Sequence, residues 1–261
     1  MKAFNEFRTW ALVTGAASGM GRIYSQRLAQ MGYNIIMVDI NATGLQETES
    51  IVKAEVEAAR TLAIVQDLSV TDAAEKIFSA TEAAGCAVEM LVNNAGVMYC
   101  QGIAETSERM LNIIMMVHMY TPLRLCRKYV IGMKERKCGY ILNISSLAAW
   151  MIWPGIGMYG HTKRFVRHYS RELRTECQKT GVSVTNAYFG AVDTPLVPLK
   201  DSLRKLARAL AVDYGEGDSS RGDGIFVFGL GVFPSEVNEH PFGNYNERKE
   251  LEELNDKQDR H

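Results

Sequence analysis

The chain reads as an α/β protein: a doubly wound parallel sheet with helices on both faces, three layers in all. Three observations predict this. Short runs rich in β-branched and apolar residues alternate with helix-periodic stretches through most of the sequence, the rhythm of strand–helix–strand units. The strand-like runs carry little polar alternation, as strands buried on both faces do. The first of them leads directly into a glycine-rich turn that opens a helix.

Taken in order, the apolar runs predict strands at 11–14, 34–39, 62–65, 90–93, 140–145 and 182–187. Between them the 3.6-residue period predicts helices at about 20–31, 43–58, 71–84, 106–136 and 159–179, with Gly32, Gly85 and Gly181 where C-terminal caps belong. Beyond about residue 200 the character changes. A Gly/Asp/Ser-rich stretch at 213–224 has no apolar period and reads as loop, an isolated apolar run at 225–233 could supply a final strand, and 244–261 is a charged tail. We read 1–261 as one domain, with 1–200 regular and 201–261 atypical.

Composition excludes several classes. Of 261 residues, 47% are hydrophobic and 23% charged, an ordinary globular balance. Lys plus Arg number 29 against 30 Asp plus Glu, a net charge of −1, so no field exists to hold nucleic acid or an anionic membrane. The first residues lack the apolar core of a signal peptide, and no run approaches the roughly 20 apolar residues of a spanning helix. The expectation is a cytoplasmic protein. The five cysteines form no C-x-x-C pair, so neither a disulfide framework nor a metal site is expected.

The turn after the first strand, Thr14-Gly15-Ala16-Ala17-Ser18-Gly19-Met20-Gly21, brings backbone amides and a helix N-terminus to one place, the arrangement that receives a pyrophosphate. Asp39, followed by Ile40, ends the second strand at about the spacing where an acidic residue meets adenosine ribose hydroxyls. A carboxylate there repels a 2′-phosphate, so NAD(H) is favoured over NADP(H), although Arg22 stands near. No Lys-Ser/Thr pair closes the turn, which argues against nucleoside triphosphate hydrolysis.

With its Thr-Gly-x-x-x-Gly-x-Gly spacing the chain begins to resemble the classical short-chain dehydrogenase/reductase family. Further matches follow in order: Asp67-Leu68 after the third strand, Asn93-Asn94-Ala95-Gly96 at the end of the fourth, Asn143-Ile144-Ser145-Ser146 at the end of the fifth, and Tyr159-Gly160-His161-Thr162-Lys163 opening a long helix. The resemblance covers roughly the first 200 residues and implies a Rossmann-type fold. It also implies that Asp67 and Leu68 meet the adenine, that Asn94, Ala95 and Gly96 line the nucleotide, and that Gly190, Val192 and Thr194 flank the nicotinamide carboxamide.

Tyr159 and Lys163 stand at i and i+4, on one helix face, and Ser146 ends the adjacent strand. A phenol ionises near pH ~10, and a neighbouring ammonium favours the phenolate. The resemblance implies that Tyr159 passes the proton, Ser146 holds the substrate oxygen, and Lys163 tunes Tyr159 and binds the nicotinamide ribose. It has one notable departure: where the family carries a catalytic Asn, this chain has His118, after Val117. His118 could shuttle protons, or be a satisfied structural residue. A second departure is Phe189-Gly190 in place of Pro-Gly.

The resemblance implies that residues 147–155, with Trp150 and Trp153, line the substrate cleft together with Met98 and Tyr99, an apolar wall suited to a hydroxysteroid or a long-chain 3-oxoacyl group; the two tryptophans could equally serve a subunit interface. Apolar faces on the helices at 106–136 and 159–179 suggest a homodimer or homotetramer, as the family commonly forms. The two functional expectations are hydride transfer between NAD(H) and an alcohol or ketone, and nucleotide binding without turnover.

Overall fold

The computed structural model describes residues 9–99, 101–150 and 156–190 and the strand Ile225–Val227. Strands β1 (Trp10–Thr14), β2 (Asn34–Asp39), β3 (Thr61–Val65), β4 (Val88–Asn93), β5 (Gly139–Ser146), β6 (Val182–Phe189) and β7 (Ile225–Val227) form one sheet in the order β3-β2-β1-β4-β5-β6-β7. Every pairing is parallel. Part of the apolar run at 225–233 does become a strand: Ile225–Val227 pairs with Ala187–Phe189.

The helices are α1 (Gly19–Gln30), α2 (Ala42–Glu55), α3 (Ala73–Ala83), α4 (Glu108–Met115), α5 (Thr121–Arg136) and α6 (Gly157–Glu176). Parallel neighbours require crossover connections, and helices supply them. The central strands are apolar on both faces because helices cover both: Leu12, Ile36 and Leu91 on one face and Val13, Met37 and Val92 on the other are all 0% exposed. Burying each such side chain contributes roughly 1.5–3 kcal/mol.

Two expectations need correcting. The helix expected across 106–136 is interrupted by a π-helical turn, Met116–Tyr120, between α4 and α5. A π turn inserts one residue and shifts the apolar pattern by about one position, and amid the largely apolar run from Met110 to Val117 that shift does not show in spacing. The second helix ends at Glu55 rather than near 58; the chain leaves helical geometry at Val56 (φ −139°, ψ 81°), whose N–H still bonds the Val52 carbonyl.

A buried polar ladder crosses the sheet. Asn93, Asn143 and Asn186 stand in register on β4, β5 and β6. Asn93 Nδ2 donates to Asn143 Oδ1 (2.8 Å), and Asn143 Nδ2 donates to Ser170 Oγ on α6 (2.9 Å). Buried amides without partners are costly, so these bonds fix how α6 lies against β5. Among the described residues no helix is long and apolar enough to cross a membrane.

Candidate functional site

The strand order reverses between β1 and β4, where an open parallel sheet forms a crevice at its C-terminal edge. A cleft of about 680 Å³ lies there, lined by Gly15, Asp39, Ile40, Asp67, Leu68, Ala95, Gly96 and Val97, with Glu108, Arg109, Asn112, Ile113 and Val117 on its other wall. The sequence reading therefore located one wall. The residues of α4 and the π turn, Ile113 and Val117 among them, line the other wall and carry no nucleotide motif in the sequence.

The turn from β1 to α1 is held by backbone. Gly15 has φ +70°, and a Cβ on Gly21 would stand 2.0 Å from the Gly15 carbonyl oxygen, so only glycine allows this approach. Thr14 Oγ1 accepts the N–H groups of Asn94 and Ala95 (3.1 Å each), and Asn94 Nδ2 donates to the Thr14 carbonyl (2.9 Å). The tips of β1 and β4 are thus tied together. Ser18 is the exposed N-cap of α1, Gly19 and Met20 begin the helix, and its first turn holds no acidic residue. This leaves the helix N-terminus suited to an anion.

Asp39 Oδ2 accepts the Ala17 N–H and Oδ1 accepts the Asn41 N–H, each at 3.0 Å. A carboxylate has about four acceptor positions, so two amide bonds orient it while leaving capacity for two hydroxyls. Ile40 is 65% exposed on the same rim, an apolar surface for a base. Arg22, directly after the glycine-rich turn, is already engaged: its guanidinium donates to the Ala17 carbonyl (2.6 Å), Glu47 Oε2 (2.7 Å) and Thr48 Oγ1 (3.0 Å). Nothing in sequence spacing signals the Arg22–Glu47 pair, which joins two helices. Asp67 Oδ1 accepts the Ser69 N–H (2.8 Å), and Thr121 Oγ1 donates to the Leu68 carbonyl (2.9 Å), fastening that turn to α5. These residues fit a dinucleotide: a glycine cradle, a helix N-terminus and an oriented carboxylate line one cleft.

At the end of β5 the catalytic candidates converge. Lys163 is 5% exposed, and its Nζ donates to the Ile144 carbonyl (3.0 Å) while Ser145 Oγ donates to the Lys163 carbonyl (3.0 Å). The same Nζ lies 5.6 Å from the centre of the Tyr159 ring, and the Ser146 side chain is the polar neighbour of the Tyr159 hydroxyl that lowers its pKa. Ser146 Oγ also accepts the Ala148 N–H (3.2 Å). Burial pushes the Lys163 ammonium down to about 8. Burial raises the Tyr159 phenol, and the Ser146 side chain opposes that rise.

His118 is 1% exposed within the π turn. Its Nε2 accepts the Val97 N–H (2.9 Å), its Nδ1 meets Thr162 Oγ1 (2.8 Å), and its ring packs edgewise on Tyr159 with centroids 5.6 Å apart. Burial first, and the Lys163 charge second, hold it well below the usual histidine range. Gly190 follows β6; Val192, Thr194 and Trp153 lie outside the described residues. Trp150 is 41% exposed beside the site, with the Arg167 guanidinium 3.6 Å above its ring. Among the described residues no group of three potential ligands could hold a metal ion.

A doubly wound sheet with a glycine cradle, an acidic β2 terminus and a Ser–Tyr–Lys group at the next strand ends defines a dinucleotide-binding protein of the short-chain dehydrogenase type. Residues 9–204 match the short chain dehydrogenase family, and the chain belongs to it. Curated relatives include the very-long-chain 3-oxoacyl-CoA reductases of Mycosarcoma maydis, 31% identical over 69% of this chain and 53% of that protein, and of Rattus norvegicus, 30% identical over 73% and 62%. The chain thus spans a little over half the length of the curated relatives it matches. Among solved structures, a metagenomic short-chain oxidoreductase in complex with NADP superposes with a TM-score of 0.66 at 25% identity, covering 71% of this chain and 83% of that one. Levodione reductase gives 0.68 at 25% identity, covering 77% of each.

Proposed function

We propose that the protein is an NAD(H)-dependent oxidoreductase that interconverts an alcohol and a ketone on an apolar substrate, such as a long-chain 3-oxoacyl group or a hydroxysteroid. The carrying observation is the meeting of Ser146, Tyr159 and Lys163 at the end of β5, beside the cleft lined by Gly15 and Asp39. A bound nicotinamide supplies or takes the hydride. Ser146 Oγ holds the substrate oxygen, and the Tyr159 hydroxyl gives it a proton or removes one. Lys163, fixed through Ile144, places its charge beside the phenol and, below about pH 8, counters the burial that disfavours the phenolate.

The preference for NAD(H) rests on the oriented Asp39 carboxylate and on Arg22 being tied to Glu47 instead of facing a 2′-phosphate. The metagenomic relative is a complex with NADP; the acidic terminus of β2 is the feature that turns the choice here. The names of the curated relatives and the apolar, partly exposed Trp150 support a long acyl or ring substrate. Exposed Leu123 and Ile131 on α5 support pairing of copies as a homodimer or homotetramer.

The test follows nicotinamide absorbance with hydroxysteroids and with long-chain 3-oxoacyl thioesters and their 3-hydroxy forms, using both nucleotides. Turnover with NAD(H) on an apolar member of the panel is expected. Nucleotide binding without turnover on any member would favour the binding-protein reading, and turnover with NADP(H) alone would overturn the cofactor preference.

A further inference from the structure

We propose that His118 is a positioning residue, a neutral imidazole protonated on Nδ1 that clamps the rim of the nucleotide cleft to the backbone beneath Tyr159. This rests on the oxidoreductase reading above, and it assigns His118 a role other than proton transfer.

The hydrogen bonds determine the tautomer. A backbone N–H can only donate, so the bond from Val97 N–H requires a lone pair on Nε2. The ring proton of a neutral imidazole then sits on Nδ1. Thr162 has one hydroxyl proton, and it is donated to the Tyr159 carbonyl (2.9 Å). Thr162 Oγ1 therefore accepts from Nδ1–H at 2.8 Å. The chain Val97 N–H, His118, Thr162, Tyr159 carbonyl is satisfied at every atom, with one direction throughout.

The local architecture is consistent with this clamp. The π turn carries His118, between α4 and α5. On the opposite side Gly96 has no side chain; a Cβ there would lie 3.1 Å from Nε2 and crowd the imidazole. Val97 lines the nucleotide cleft, and the His118 ring supports the Tyr159 ring edgewise. Protonating Nε2 would set two donors against each other at Val97, so a proton-shuttling His118 would have to break the clamp in each cycle.

Glutamine and asparagine separate the two halves of the clamp, since the Gln carbonyl oxygen reaches about as far as Nε2 and the Asn amide nitrogen about as far as Nδ1. One net hydrogen bond is worth about 1 kcal/mol, or roughly fivefold. For His118→Gln we expect near-native NADH affinity, read by fluorescence titration, with kcat reduced about fivefold or more. For His118→Asn we expect the reverse: kcat restored towards native and NADH affinity weakened about fivefold. His118→Ala should lose both, while the shape of the kcat–pH profile stays native. Long-range 1H–15N spectra of the native protein should show the Nδ1–H tautomer. An Nε2–H tautomer or an imidazolium would overturn the proposal. So would a kcat–pH limb that disappears in His118→Ala, or native values of both kcat and affinity in that variant. The spectra and the affinity do not require turnover, so they judge the clamp even if no substrate is found.

Discussion

The two halves of the site are built from different materials. Around β1, β2 and β4 the nucleotide half is shaped by backbone: the Gly15–Gly21 approach, the Ala17 and Asn41 amides on Asp39, and the Thr14 hydroxyl under Asn94 and Ala95. Around β5, the π turn and α6 the catalytic half is shaped by buried polar side chains bonded to backbone groups and, for His118 and Thr162, to each other, with His118, Thr162 and Lys163 each at most 5% exposed. Backbone geometry tolerates most side-chain changes but not an added Cβ where two chains touch. A buried polar network has the opposite sensitivity, because each lost partner leaves an unsatisfied group in a low-dielectric interior.

Within the nucleotide half the largest break is expected at Gly21→Ala. Its methyl group would occupy the position of the Gly15 carbonyl, the turn would shift, and a displacement of about 1 Å at a reacting constellation costs roughly 100-fold in kcat/KM. Nucleotide titration should show the loss as weaker binding. A smaller effect, about tenfold, is expected for Asp39→Asn, read as a fall in the ratio of kcat/KM for NADH over NADPH, since a charge-assisted hydrogen bond at a partly exposed rim is worth about 1.5 kcal/mol, the low end of its range. Glu47→Gln should move the same ratio only a few-fold. The Arg22–Glu47 pair is partly exposed, and Thr48 and the Ala17 carbonyl continue to hold Arg22.

Lys163→Met sharpens the contrast through stability. The ammonium is buried against a single carbonyl, and its pKa falls from 10.5 to about 8. Between those values the unfolded chain holds the proton and the native protein does not, so native stability rises with pH across that window. The variant should lose activity yet unfold less readily at neutral pH by about 1 kcal/mol, since relief of a buried charge worth about 3 kcal/mol is offset by the Ile144 carbonyl left without this donor. That advantage should be complete below about pH 8 and fade towards 10.5, as denaturant melts at several pH values can check.

Much of this was legible in the sequence. All six strands expected before residue 200 form: five are apolar runs buried along most of their length, and β3, at the edge of the sheet, is only partly covered. Asp39, Ser146, Tyr159 and Lys163 could be singled out because strand ends and i, i+4 spacing are local properties. The π turn at Met116–Tyr120, the Arg22–Glu47 pair and the Thr162 link to His118 were not legible. Each depends on which elements meet in space, and the asparagine ladder depends on a sheet register that spacing does not determine. His118 itself was visible as a departure, but its ring could be read as shuttle or strut until both nitrogens had named partners.

The most direct measurement is turnover and NADH affinity of Tyr159→Phe beside the native protein. Removing one hydroxyl from the catalytic half should lower kcat by about 100-fold to 10,000-fold with NADH affinity unchanged. Turnover retained at the native rate would contradict the account.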